Sequence, residues 1–453
     1  MATARTKKKG IWSWIDNIQG DKVIWMIAIL LILFSCISVF SSTSALVKED
    51  VSRLDIFAEQ MKVVCIGLAA IFVCYFIPRI WIFRFFSQLG FLVSFVMLMM
   101  LVLKIGVDTR NGATRALSVG GLQLNVYEVV KVAMVMYLSW ASNANATKSF
   151  TIANKLSGFK NFKWLKKPFV QRLIYIYAPI LIVMGLEIDG SFSSTAIIAI
   201  VMVMTVLLGG VPFKEFFMVG LAALAALILG YGVYKATGWE LLSRYETVES
   251  RIDEWLNGSK KKTLKEMNPN TAEYEKAKDG LLQTEGAMMA IKEGGFFGKG
   301  PGRSTYKYTV PLIFSDYMFS FIIEEYGILF GAIPLLILYL SLLARGSIIV
   351  RNCDNVFAKT SVGGLCLLIS FQAVVHMMIN VGLLPSTGQT LPMISEGKGS
   401  FLMFCLAFGI ILSISKMAKK KVEMEAEKAA PLMVRDEVKE SLNDLDALDS
   451  IDS

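Results

Sequence analysis

Apolar residues in this chain recur in blocks approaching 20 residues, the helix length that crosses the hydrocarbon core of a bilayer. They cover 23–40, 62–77, 89–103, 126–141, 178–186, 195–208, 216–233, 319–343, 361–381 and 401–414. The block at 178 is short, and residues 172–177 ahead of it extend it towards span length. Composition agrees: 55% of the 453 residues are hydrophobic and only 18% charged, where a soluble domain carries about 25% charged residues. The expectation is an all-α integral membrane protein with about ten transmembrane helices. Residues 1–22 form a cytoplasmic N-terminal segment, 23–416 the membrane domain and 417–453 a cytoplasmic tail. Within the membrane domain, 237–311 forms a large extracytoplasmic loop between spans seven and eight.

A net charge of +9 would suggest a nucleic-acid partner in a soluble protein. Here the positive-inside rule accounts for it, and no nucleic acid is expected. With the N-terminus inside, the basic stretches 5–9, 79–84, 148–172, 345–351 and 416–421, together with Lys214, all fall in the cytoplasm. The 148–172 loop is the most basic short loop and would lie outside in the opposite orientation, so both termini are expected to be cytoplasmic. Residues 1–22 are polar and charged, and the first apolar run is long enough to remain as a span, so no cleaved signal peptide is expected. Cys36, Cys65, Cys74, Cys366 and Cys405 fall in spans and Cys353 in an inside loop, which argues against a disulfide framework. The tail begins basic and ends acidic (Glu437, Glu440, Asp444, Asp446, Asp449, Asp452), as either a partner-docking extension or solvated chain.

Ionisable groups at membrane depth mark functional sites or self-paired charges. Glu128 and Lys131 stand three apart on the fourth span, on one helix face, and can neutralise each other. The eighth span opens on Asp316 and carries Glu324 and Glu325 deeper in. A deep glutamate is most simply a hydrogen-bond anchor between helices, whereas Asp316, at the water boundary, is the better candidate for catalysis. The run EGGFFGKGPGR at 293–303 is not a phosphate-binding Walker loop, because its spacing is wrong and Gly300 stands where a hydroxyl is needed. Its glycines could bring backbone close to a ligand, with Lys299 and Arg303 holding an anion, or form a plain turn. The sole histidine, His376, lies among Val374, Val375, Met377 and Met378 and reads as a packed, neutral helix contact. The outer loop of roughly 80 residues is too long to be idle chain, and 245–256 has the pattern of a surface amphipathic helix.

Several segments, in order, resemble the SEDS family of bacterial cell-wall polymerases (FtsW/RodA-like). They are NGATRA at 111–116 with VGGLQL at 119–124, NVYEVVK at 125–131, GGFFGKG at 294–300, VPLIFSDYMF at 310–319 with EEYG at 324–327, and GLLPSTGQTLPMIS at 382–395. The chain departs from the family pattern at Leu312 and Phe314, where Glu and His are usual, at Ala116 for Trp, at 187–195 and at 395–400. The resemblance implies a peptidoglycan glycosyltransferase that polymerises lipid II into glycan strands at the outer face of the cytoplasmic (inner) membrane. It implies Asp316 as the catalytic base, with Arg115, Glu128, Lys131, Lys299 and Arg303 binding substrate, and a divalent cation (Mg or Mn) on Asp316 as the one candidate cofactor. No organic cofactor is implied. Implied partners are a class B penicillin-binding protein acting as transpeptidase and other divisome proteins. The TGQTLP run and the extended tail look more like the division-type, FtsW-like branch than the elongation-type, RodA-like one. A lipid II flippase is the rival reading, since buried charges in a ten-span bundle suit a transporter too.

Overall fold

The structure, a computed structural model, describes residues 19–43, 53–77, 79–105, 116–119, 122–188, 191–237, 271–385 and 387–419. The chain runs through helices α1 (Lys22–Ser42), α2 (Arg53–Phe76) and α3 (Ile80–Val102) into a hairpin of β1 (Ala116–Val119) and β2 (Leu122–Asn125). It continues through α4 (Val126–Ala146), α5 (Pro168–Ile188), α6 (Phe192–Leu208) and α7 (Phe213–Thr237). After these come α8 (Ala272–Gly294), α9 (Met318–Arg351), α10 (Val356–Asn380) and α11 (Lys398–Lys419). Among the described residues, α1, α2, α3, α5, α9, α10 and α11 are long and apolar enough to cross a membrane. Helices α4, α6 and α7 cover the other three apolar blocks of the sequence, α6 as a shorter apolar helix, so seven of the ten expected spans meet that criterion among the described residues. The short block at 178 is indeed lengthened by the residues before it, through a π-helical turn at Leu173–Tyr177.

Burial sorts the helices by what surrounds them. In α10 and α11, 67% of the apolar window is buried, against 22% in α3. Trp81, Phe85, Phe86 and Leu92 of α3 are exposed, the pattern of a lipid-facing helix. Helix α4 is buried along nearly its whole length and packs on α3, α6 and α10. It tolerates polar residues because protein, not hydrocarbon, encloses them.

At one end of the bundle, Asp21 caps α1 by accepting from the amides of Val23 (2.9 Å) and Ile24 (3.2 Å). It also pairs with Arg345 of α9, while its own amide donates to Ser415 Oγ of α11 at 2.9 Å. The described chain therefore enters and leaves at the same end. The hairpin, α8 and segment 381–397 occupy the other end. The hairpin pairs Ala116 with Asn125 and Val119 with Leu122, the one β element among the described residues. The expected helix at 245–256 lies outside the described residues, and the helix described in the long loop is α8.

Helix α9 is broken ten residues in. Gly327 has φ 74° and is followed by a π-helical turn, Ile328–Ala332. Such a break frees backbone groups that hydrocarbon cannot satisfy. The glycine-rich loop satisfies them: Lys299 N donates to Glu324 O (2.8 Å) and Gly300 N to Glu325 O (2.9 Å). In return Ile328 N donates to Gly295 O (3.1 Å) and Leu329 N to Phe296 O (3.0 Å). The approach is so close that a Cβ on Gly298 would lie 2.4 Å from Glu325 O, and one on Gly327 would lie 2.4 Å from Gly298 N. These glycines bring backbone against the helix's own backbone.

Candidate active site at the hairpin end of the bundle

Asp316 ends a tight turn in which Leu312 takes a positive φ of 57° and its carbonyl accepts from the amides of Ser315 (3.1 Å) and Asp316 (3.0 Å). The Asp316 side chain is partly exposed and accepts from Ser315 Oγ at 2.7 Å. The turn is tied down from two sides. Asn380, at the end of α10, donates from Nδ2 to Asp316 O at 3.3 Å. From segment 381–397, Ser395 Oγ donates to Ser315 O (2.7 Å) and Glu396 N to Phe314 O (2.9 Å).

That segment folds back into the protein: Gln389 and 391–395 are buried. Its backbone is met by Gln372 Nε2 donating to Thr390 O at 3.2 Å and Ser35 Oγ to Ile394 O at 3.3 Å. The buried end of the segment delivers Gln389 to Lys131. The Lys131 ammonium is fully buried and donates to Glu128 Oε1 (2.8 Å), Gln372 Oε1 (3.0 Å) and Gln389 Oε1 (3.0 Å). Gln389 Nε2 in turn donates to Ser194 Oγ of α6 at 2.9 Å. Glu128 sits in the first turn of α4, where the helix dipole favours a carboxylate, and Asn125 caps that turn. Glu187, in the last turn of α5, is 0% exposed and interacts electrostatically with Lys131 and Glu128. Among the described residues, neither of its carboxylate oxygens has a hydrogen-bond partner, nor does Glu128 Oε2.

Glu324 and Glu325 anchor the glycine-rich loop and α1 to α9. Glu324 accepts from Thr305 N (2.8 Å), Tyr306 N (3.3 Å), Ser304 Oγ and Lys299 Nζ (2.7 Å). Glu325 meets the same loop segment, accepting from Ser304 N at 3.4 Å with Lys307 Nζ 3.6 Å distant, and also accepts from Ser41 Oγ of α1 at 2.6 Å. Lys299 thus lies between carboxylates, donating to Glu293 and Glu324 and to Thr305 Oγ1 at 2.8 Å. Burial works against its charge, but the bonds to Glu293 and Glu324 outweigh it and hold the ammonium above its usual value. The Lys299 and Tyr306 hydrogen bonds hold the Glu293 carboxyl below its ordinary range.

Of the residues singled out in the sequence, Glu128 and Lys131 meet directly, and a path of hydrogen bonds joins them to the Asp316 turn through Gln389, His376 and Asn380. Arg303 is exposed on the glycine-rich loop, and Lys299 is bound to the wall below it. Arg115 lies outside the described residues, immediately before β1. Gln372, Asn380 and Glu187 were not singled out as site residues, and Gln389 entered only as part of the TGQTLP run. The signal the first three gave was polarity inside or beside apolar runs.

A protein family described as "Cell cycle protein", which takes its name from FtsW, RodA and SpoVE, matches residues 21–420. The chain is 27% identical over 364 residues to a Coxiella burnetii protein named "Probable peptidoglycan glycosyltransferase FtsW", covering 79% of this chain and 86% of that one. It is 26% identical over 404 residues to the stage V sporulation protein E of Bacillus subtilis, covering 88% and 98%. Among solved structures, one chain from work on polymerization and crosslinking by a peptidoglycan synthase complex superposes with TM-score 0.62 at 20% identity, covering 88% and 98%. The Thermus thermophilus rod shape determining protein RodA superposes with TM-score 0.53 at 19% identity, over the same shares. At those identities the structural likeness is one of fold. Since the family match runs from the cap of α1 to the end of α11, the chain belongs to the FtsW/RodA/SpoVE family.

Proposed function

We propose that this membrane protein is a peptidoglycan glycosyltransferase that polymerises lipid II into glycan strands at the outer face of the cytoplasmic membrane, for septal wall synthesis in division. The observation that carries the reading is the Asp316 turn: a partly exposed carboxylate, tied by Asn380 and Ser395 to the same segment that binds Lys131. Family membership and the glycosyltransferase names of relatives such as the Coxiella burnetii protein support it.

In this reaction the 4-hydroxyl of the acceptor sugar attacks the anomeric carbon of a pyrophosphate-linked glycan, with inversion. The hydroxyl needs a base, and Asp316 has both the exposure and the chemistry to take its proton. The leaving group is already a pyrophosphate, so no second carboxyl acting as acid is required, unlike glycoside hydrolysis. Positive charge is required instead, and Arg303 and Arg115 are the residues we assign to the phosphates. Lys131, saturated by Glu128, Gln372 and Gln389, shapes the wall of the site and sets its potential. Lys299 plays the same role from the glycine-rich loop. Among the described residues no three metal-ligating side chains come together. A divalent cation would therefore rest on Asp316 and on the substrate's own phosphate oxygens, a donor set that suits Mg²⁺.

A lipid-linked substrate calls for chemistry at a membrane surface, and the positive-inside distribution of lysines supports a reading with the Asp316 end outside and both termini cytoplasmic. The solved relative in a peptidoglycan synthase complex supports a partner that crosslinks the strands, which we take to be a class B penicillin-binding protein among other divisome proteins.

The test gives fluorescent lipid II to the purified protein together with its transpeptidase partner. Wild type is expected to yield glycan ladders, and Asp316→Ala, folded as judged by its thermal transition, is expected to yield none. Flipping of lipid II in liposomes without ladders from wild type would replace the polymerase reading with a transporter.

A further inference from the structure

We propose that His376 is a positioning residue, held as the neutral tautomer with its proton on Nδ1, that fastens the Gln389 segment to the Asp316 turn through Asn380. The proposal rests on the polymerase reading for its consequence, though not for its geometry.

The proton's position follows from the neighbours. Asn380 Oδ1 accepts from both Ser320 N (3.0 Å) and Ser320 Oγ (2.9 Å), so a backbone donor fixes which end of the amide is oxygen. Its Nδ2 then faces His376 O (2.9 Å), Asp316 O (3.3 Å) and His376 Nε2 (3.3 Å). An amide NH₂ only donates, so Nε2 is the bare, accepting nitrogen. Nδ1 must carry the hydrogen, and it points at Gln389 O, an acceptor, at 2.7 Å. The ring is fully buried, so no solvent competes for either contact.

The consequence is mechanical. Gln389 is one of the three acceptors around the Lys131 ammonium, and Asn380 holds the backbone at Asp316 and at Ser320, in the first turn of α9. His376 is the one side chain whose two ring nitrogens touch both. Without it the buried Gln389 carbonyl loses its donor and the side-chain link from that carbonyl to Asn380 is gone, leaving the turn and the segment free to shift relative to each other. A displacement of ~1 Å at a reacting group can cost about a hundredfold in rate. His376 touches none of the reacting atoms we assign, so the loss falls on kcat rather than KM.

Because the chain has a single histidine, full-length protein carrying ¹⁵N-histidine and a histidine-free affinity tag gives one pair of ring signals. A protonated Nδ1 and a bare Nε2 in the wild-type spectrum are expected; a protonated Nε2 overturns the assignment. In the ladder assay, His376→Leu should lower kcat by about tenfold or more with KM little changed. His376→Asn, whose amide nitrogen can stand in for Nδ1–H, should recover much of that loss. Wild-type kcat in a folded His376→Leu protein overturns the positioning role. If His376→Leu does not fold, His376→Gln replaces it: Gln cannot place a donor where Nδ1 lies, so unchanged kcat there is equally fatal. Wild type without ladders would instead sink the polymerase reading, and the tautomer measurement would still decide the geometry.

Discussion

Lys131 has no exposed surface and its Nζ is committed to three acceptors from three different parts of the chain. Removing one partner from a buried ionic group strands the others, which typically costs about 3–5 kcal/mol, whereas replacing the whole set is far cheaper. Lys131→Met should therefore lower the unfolding free energy in detergent by about that amount, and Glu128→Gln added to it should recover part of the loss. A purely additive double variant, read from denaturation curves, would show that the pair is not energetically coupled. Half of this cluster could be read from sequence, because Glu128 and Lys131 are three residues apart on one helix. The other half could not: Gln372 and Gln389 are separated from Lys131 by 241 and 258 positions, and only tertiary packing brings them in. Lys299 illustrates the converse. Its place in a glycine-rich run suggested an anion site, but the carboxylate of Glu324, 25 positions on, reaches its ammonium.

At the scale of elements, the instructive case is the break in α9 and the loop that closes it. The sequence displayed all the parts, EGGFFGKG and EEYG, without indicating that one serves the other. Nothing in local spacing says that the amides of 299 and 300 will find the carbonyls of 324 and 325. Helix α8 was hidden for a related reason: it is a polar helix beside the membrane, so hydropathy gives it no signal, and the loop around it could be read only as partly helical. Glycines test this reading sharply, because they differ in what a methyl group would meet. Gly298 combines φ 81° with backbone atoms 2.4–2.6 Å from the would-be Cβ. Gly298→Ala should cost about 1–3 kcal/mol from the backbone conformation alone, with the collision against the α9 break added to it. Gly185, in α5, has nothing within 4 Å and no positive φ, so Gly185→Ala should instead stabilise by up to about 1 kcal/mol. Thermal unfolding midpoints of the two variants that moved in the same direction would remove the loop's backbone clasp as the reason for Gly298.

For the whole molecule, the helical membrane class was legible because the bilayer imposes one length and one polarity on every crossing helix, while helix starts such as those of α2 and α3 lie nine residues ahead of the apolar blocks at 62 and 89. What the spans enclose was not, since helix order around the bundle is set by packing between distant segments. Orientation stands between these cases. The bundle has two chemically distinct ends: one gathers Asp21, Arg345, Ser415 and the lysine-rich Lys160–Lys166 segment, the other Asp316, the hairpin and α8. Helix packing is indifferent to which end faces the cytoplasm; the lysines are not, because translocating them is unfavourable. The polymerase reading requires the Asp316 end outside, where the glycan strand grows, so orientation and function stand or fall together. Replacing the six native cysteines, all unpaired, gives a background for single-cysteine labelling. Tyr308→Cys, at a 62% exposed position on the glycine-loop side, should react with a membrane-impermeant maleimide in intact spheroplasts. Lys163→Cys, in the basic segment, should react only after permeabilisation. The reverse pattern would put Asp316 in the cytoplasm, away from the growing wall, and a carboxylate there could not serve as the base for strand elongation.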